Sequence, residues 1–190
     1  MSAPIDENSG SKPHKASGQS PGADVPSSEA DPSPDPLLPD PQWFDRPDHD
    51  TGQAGLRFAC TMCGNCCTGD GGYVKFTSAE ASALSLRLGV TVEAFIRTFT
   101  HDTSAGRSLK EKTSDFGQDC IFLDRNSMPG RAVCGVYEDR PSQCKTWPFW
   151  ESNIAAPWAW ARASALCPGM NKGQRYSPQQ IRILRDVVEM

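Results

Sequence analysis

The sequence predicts a small α+β domain, mostly helical with a few short strands, behind a disordered N-terminal tail. Three observations carry this: composition shifts sharply along the 190 residues, apolar residues recur at helical spacing between recognisable caps, and all 8 cysteines lie in the later part. Residues 1 to 50 hold 10 of the 16 prolines and set 10 acidic side chains against only Lys12, Lys15 and Arg46, a balance of −7. Residues 51 to 190 set 16 basic against 13 acidic residues, a balance of +3. A stretch such as Asp31–Pro36 cannot bury enough apolar surface to offset chain entropy, and its prolines favour extended conformations. Residues 1–39 are therefore read as a disordered acidic Pro/Ser-rich tail. Residues 40–57 are read as a linker docking on the domain through Trp43 and Phe44, two adjacent rings with little reason to stay in water. Residues 58–190 are the domain, long enough for one modest core.

The elements follow in order. Gly72–Phe76 alternates and carries aromatic and branched residues, which predicts a short strand. Thr77 and Glu80 form a capping box that opens a helix over 78–88, with Ala81, Leu84, Leu86 and Leu88 available to the core and Gly89 as its stop. Val92, Phe95, Ile96 and Phe99 repeat at helical spacing and predict a second helix over 92–99. Arg107–Asp124 reads as strands, with Ile121–Leu123 as an apolar run. Asp139, Arg140 and Pro141 offer a cap and a first-turn proline ahead of Cys144, placing that thiol where exposed amides and the helix dipole favour a thiolate. Trp147, Phe149, Trp150, Trp158 and Trp160 form an aromatic wall near the last cysteines, read mainly as core. Ser177 and Pro178 open the last helix, whose apolar face is Ile181, Leu184, Val187 and Val188.

The cysteines carry the chemistry. Cys60, Cys63, Cys66 and Cys67 fall within eight residues, followed by Cys120, Cys134, Cys144 and Cys167. Intervals of two residues let a chain wrap a metal with successive sulfurs facing one centre, as in zinc and iron-sulfur sites. A cysteine-ligated metal site is thus expected to organise the domain. His101 is the one histidine beyond residue 50, so mixed Cys/His zinc fingers do not supply two sites. Eight thiolates suit two four-sulfur sites, or one larger cluster plus structural thiols. Neighbouring residues rarely direct both side chains to one tetrahedral centre, so Cys66 and Cys67 are expected to serve different metals. An even count of cysteines would also permit four disulfides, but a cytoplasmic setting argues against them. Gly64, Gly69, Gly71 and Gly72 let the backbone fold tightly and aim amides at sulfur. Arg140 and Lys145 are candidates to offset part of the thiolate charge, beside the usual role of such residues as a solvated surface.

Cys60-x2-Cys63-x2-Cys66-Cys67, Asp119-Cys120 to Asp124, Cys134 to Phe149 with Arg140-Pro141-x2-Cys144, and Cys167-Pro168-Gly169 together resemble the CxxCxxCC family of cysteine-cluster proteins, known as a zinc- or iron-chelating domain. The resemblance runs from about Phe58 to Gly173 and takes in all eight cysteines. It departs at Lys145, where the family often has arginine. It implies metal chelation by cysteine and says little about a reaction. Some flagellin lysine methylases carry a similar cluster, but this chain is shorter than such an enzyme is expected to be.

Composition narrows the function classes. A mean hydropathy of −0.51 and the lack of any apolar stretch near the ~20 residues that span a bilayer exclude an ordinary transmembrane helix. Met1–Asp24 has no basic cluster followed by an apolar block, which predicts a cytoplasmic protein. A balance of +3 without a basic run gives no reason to expect nucleic acid as partner. The sequence shows no glycine-rich phosphate loop, no Ser/His/Asp or Cys/His set and no Cys-x3-Cys-x2-Cys spacing. The expected function is a metal-binding protein holding iron-sulfur or zinc, with a structural, redox or metal-handling role. The alternatives are a cluster-dependent enzyme, such as one related to protein lysine methylases, and a zinc-stabilised module for a protein partner.

Overall fold

The computed structural model describes residues 42–69 and 71–187; the tail predicted for residues 1–39 lies outside the described residues. From its first described residues the chain is built into the core. Trp43–Asp45 forms one 3-10 turn in which Phe44 is buried, while Trp43 donates its indole N–H to the Ile154 carbonyl at 2.6 Å. Asp45 pairs with Arg182, 137 residues away, at 2.6 Å.

The regular elements that follow are short. β1 (Leu56–Phe58) and β2 (Thr68–Gly69) flank the cysteine motif, and α1 (Ser78–Leu88) and α2 (Val92–Phe99) come after it. The hairpin β3 (Thr100–Thr103) and β4 (Gly106–Leu109) leads into β5 (Glu111–Ser114), β6 (Gly117–Cys120), β7 (Leu123–Asp124) and β8 (Val133–Cys134). α3 (Ser142–Lys145), α4 (Glu151–Ile154), α5 (Pro157–Leu166), β9 (Gln174–Tyr176) and α6 (Pro178–Asp186) complete the described chain. The strands make four small antiparallel sheets: β1 with β9, β2-β6-β5, β3 with β4, and β7 with β8.

The helices obey their local signals. Thr77 accepts from the Glu80 amide, and the Glu80 carboxylate accepts from the Thr77 amide at 2.8 Å. Gly89 ends α1 in the left-handed region at φ 67°, where a side chain would be strained. Ser177 caps α6 in the same reciprocal way with Gln180. Ile181 is fully buried and Leu184 packs beside it, whereas Val187 is exposed; Val188 lies outside the described residues.

Three expectations need correction. Gly72–Phe76 forms no strand; the Val74 amide goes to the Ser108 hydroxyl and the Lys75 amide to the Gln143 side chain, so its donors are satisfied without a ladder. Among the described residues helix still exceeds strand, 38% against 20%, but the fold is mixed rather than mostly helical, because strands of two to four residues are too short to show alternation in sequence. The aromatic wall also divides. Phe149 and Trp160 stack in the core at 5.9 Å and 21°, Trp147 and Trp150 meet edge to face at 4.9 Å, and Trp158 is exposed.

Two apolar clusters result. The first joins Phe44, Leu56, Phe149, Ile154, Trp160 and Ile181, and so ties the start of the described chain to its end. The second joins Leu84, Phe95, Leu109, Phe122 and Val136, with Cys120 and Cys134 packed against it.

Candidate metal centre

The CxxCxxCC segment is a tight turn whose shape is set by two positive φ values. Met62 has φ 54° and Gly64 φ 78°. At Gly64 a Cβ would stand 2.7 Å from the Ala132 Cβ, so only glycine fits the turn here. A 3-10 turn over Asn65–Cys67 follows, closed by the Cys67 amide donating to the Gly64 carbonyl at 2.8 Å. It sends both Cys66 and Cys67 to one side, with their Sγ atoms 3.8 Å apart.

That side is a cavity of about 480 Å³ lined by Cys60, Cys66, Cys67, Cys120, Cys134 and Cys144. The six thiols come from four stretches of chain: the motif turn, the end of β6, the end of β8 and the helix α3. Cys63 and Cys167 do not line it. Cys63 sits half-buried at the back of the turn, and Cys167 is 6% exposed inside the first apolar cluster. All eight thiols are free. The pair Cys66 and Cys67, expected to serve different metals, therefore faces one space.

Amides point at three of the sulfurs from two residues onward. The Met62 amide donates to the Cys60 Sγ at 3.4 Å, and the Phe122 and Val136 amides serve Cys120 and Cys134 in the same way. Such donors favour the thiolate a metal needs. The sequence placed such donors at Gly64, Gly69, Gly71 and Gly72, whereas the repeated i+2 turns at Cys60, Cys120 and Cys134 supply them.

Burial works in the opposite direction. It pushes the Cys144 thiol up to about 12, helped by the neighbouring Cys120, Cys134 and Cys66 and opposed by Arg140. It pushes Cys120 up to about 11 against the pull of the Phe122 amide, and it raises Cys134. Within the vicinal pair, the hydrogen bond from Cys67 lowers Cys66, and Cys67 is raised as the proton holder. The expectation that a helix dipole lowers Cys144 is thus reversed. α3 has four residues and begins at Ser142 with Pro141 as an uncharged cap, so it offers little dipole to set against desolvation and three neighbouring thiols. Asp139 does not cap it and pairs with Arg87 instead. Arg140 faces Cys66, Cys134 and Cys144 while its guanidinium stacks 3.8 Å over the Tyr137 ring; Lys145 is exposed.

The thiols fit a thiophilic metal in their chemistry. Zinc–sulfur bonds of about 2.3 Å in a tetrahedron imply a sulfur–sulfur edge of about 3.8 Å, and the Cys66–Cys67 separation is 3.8 Å. Among the described residues no three cysteine, histidine, aspartate or glutamate side chains stand close enough together to grip one ion as they are. A metal held here would need further thiols to move toward the vicinal pair and to give up their protons. Trp147, also on the cavity wall, has a buried indole N–H without an acceptor among the described residues. An indole N–H only donates, so an electron-rich occupant such as metal-bound sulfur would complete it.

The model of the family CxxCxxCC, "Putative zinc- or iron-chelating domain", matches residues 59–168, more than half of the chain, and the chain belongs to that family. No solved structure matches it. The matched region starts one residue before Cys60 and ends one residue after Cys167, so it takes in all eight cysteines. No helix among the described residues is long and apolar enough to cross a membrane.

Proposed function

With membership of a zinc- or iron-chelating family as premise, we propose that the protein holds one metal centre in the 480 Å³ cavity, through Cys66, Cys67, Cys120, Cys134 and Cys144, with Cys60 at the rim. The observation that carries this is the convergence of six thiols from four separate stretches of chain on one space. A single tetrahedral ion takes four sulfurs and needs no cavity. Six thiols around an open volume suit a polynuclear centre better, and of the two metals the iron-sulfur form is preferred. Such a cluster would supply one-electron transfer, whereas zinc would supply a fixed Lewis-acid charge.

The chain's own residues do the rest. The Met62 amide donates to the Cys60 sulfur, the Phe122 and Val136 amides pull against burial at Cys120 and Cys134, Arg140 offsets negative charge, and the second apolar cluster backs the space. The role read from this is redox or metal handling, because Cys60 and Cys66 are exposed and leave the centre accessible to a partner; the cytoplasmic setting is carried over from the sequence. A second reading, a cluster-dependent enzyme, draws on the cavity wall of Tyr73, Trp147 and Trp150 beyond the thiols, which leaves room for an organic substrate.

Anaerobic purification followed by iron, zinc and acid-labile sulfide analysis tests the reading. Iron and sulfide in matching amounts, with visible absorption, are expected. Colourless protein with stoichiometric zinc would overturn the iron preference, and protein with neither metal after loading would overturn the site. Perturbation of the cluster spectrum by S-adenosylmethionine would favour the enzyme.

A further inference from the structure

An ion pair between a buried Asp119 and a half-buried Arg125 lies beside the motif turn, and neither residue lines the thiol cavity. Asp119 is 1% exposed and precedes Cys120 on β6. Its carboxylate accepts from Arg125 Nε at 2.8 Å and from Arg125 Nη2 at 2.9 Å. Thr68, which follows Cys67 and faces Asp119 across the β2–β6 ladder, donates its hydroxyl to the same carboxylate at 2.6 Å. The Thr68 oxygen accepts from Arg125 Nη2 at 2.6 Å and lies 3.0 Å from the Gly64 carbonyl. Arg125 Nη1 packs 3.3 Å from where a Cβ on Gly64 would stand, and the Phe116 ring covers the guanidinium at 4.2 Å.

A fork of this kind holds planar partners in fixed orientation, which lysine cannot reproduce. What it joins here is specific. Gly64–Thr68 carries Cys66 and Cys67, and β6 ends on Cys120, so three cavity thiols hang from two segments that share one clamp. The positive end of the clamp also lies near Cys63 and Cys67.

We propose that Arg125 is a positioning residue of the metal centre: clamped by Asp119 and Thr68, its guanidinium holds the Gly64–Thr68 turn against the strand that carries Cys120 and keeps a fixed positive charge behind the thiols. This rests on the cavity being the metal site. It differs from the part played by Arg140, which faces the cavity from the opposite segment.

The test is anaerobic titration of the full chain with Zn2+ against a competing chelator, and with Co2+ followed by its thiolate charge-transfer absorption. Arg125→Met is expected to loosen Zn2+ by roughly 10–100-fold, the range for removing a partner outside the ligand set, and to weaken the Co2+ band per bound ion. Arg125→Lys should recover part of the affinity, since it keeps the charge and loses the fork. Wild-type affinity and an unchanged Co2+ spectrum in Arg125→Met would overturn the proposal. Should that variant be insoluble, Thr68→Val leaves the ion pair in place and is expected to stay folded with a modest drop in melting temperature and to bind Zn2+ several-fold more weakly; wild-type affinity there would overturn it equally. Failure of the wild-type chain to bind either ion and to take up iron with sulfide would overturn the metal reading itself, which separates the two outcomes.

Discussion

Around Phe149 the interior is closed by rings, with Trp160 stacked at 5.9 Å, Tyr176 at 4.6 Å and Phe58 edge-on at 6.3 Å. Around Cys66 and Cys67 it is an open volume edged by thiols. Both regions contain cysteine, yet in opposite surroundings. Cys167 is a small buried residue among aromatic side chains, and Cys144 is a half-buried thiol that faces other thiols. The aromatic region therefore gains its stability chiefly from apolar burial. The thiol region is backed by the second apolar cluster, against which Cys120 and Cys134 pack, and under the proposed function it would also draw stability from what its sulfurs hold.

The largest expected effect breaks the thiol side of that contrast. Replacing both Cys66 and Cys67 by serine should abolish stoichiometric metal and cost several kcal/mol of stability, because structural metal binding carries roughly 10–16 kcal/mol of apparent free energy. Metal analysis and thermal melting check it, and full metal content in the double variant would remove the pair from the ligand set. Phe149→Ala attacks the other side. It should cost about 3–5 kcal/mol through lost burial and a residual cavity, while the metal-to-protein ratio of the folded fraction stays at the wild-type value. A lowered ratio would mean that the two regions are coupled.

Cys167→Ala sharpens the comparison with a smaller change. A loss of about 1 kcal/mol is expected from the buried sulfur, with metal content unaltered; loss of metal would move Cys167 into the ligand set. The smallest effect concerns acid. Hydrogen bonding from Arg182 holds the Asp45 carboxyl below the usual carboxylate range. Its contribution to stability is thus complete above roughly pH 4, the ordinary value, and is lost as pH falls through the lowered one. Melting followed from pH 6 downward should show wild type losing more than Asp45→Asn, and parallel curves would show that the pair contributes nothing.

What was legible in the sequence is what neighbouring residues decide. Thr77, Glu80 and Gly89 bound α1 as read, because a capping box and a left-handed stop are made within one turn. Ser177 and Pro178 open α6 for the same reason. The spacing of Cys60, Cys63, Cys66 and Cys67 pointed to metal, and family membership agrees. Gly72–Phe76 was misread because a strand needs a partner ladder, and its amides found Ser108 and Gln143 instead. Arg125 gave no signal, since its role depends on residues 6 and 57 positions away.

The sequence by itself determined the chemistry: eight thiols, four of them in one turn, in a domain whose charge differs from that of the stretch before it. Tertiary structure alone decided which thiols share a space. It put Cys66 and Cys67 together with Cys120, Cys134 and Cys144, set Cys167 among aromatic rings, and turned the expected lowering of Cys144 into a raising. The physical reason is that ligand spacing is local, whereas burial and the approach of distant charges are properties of packing.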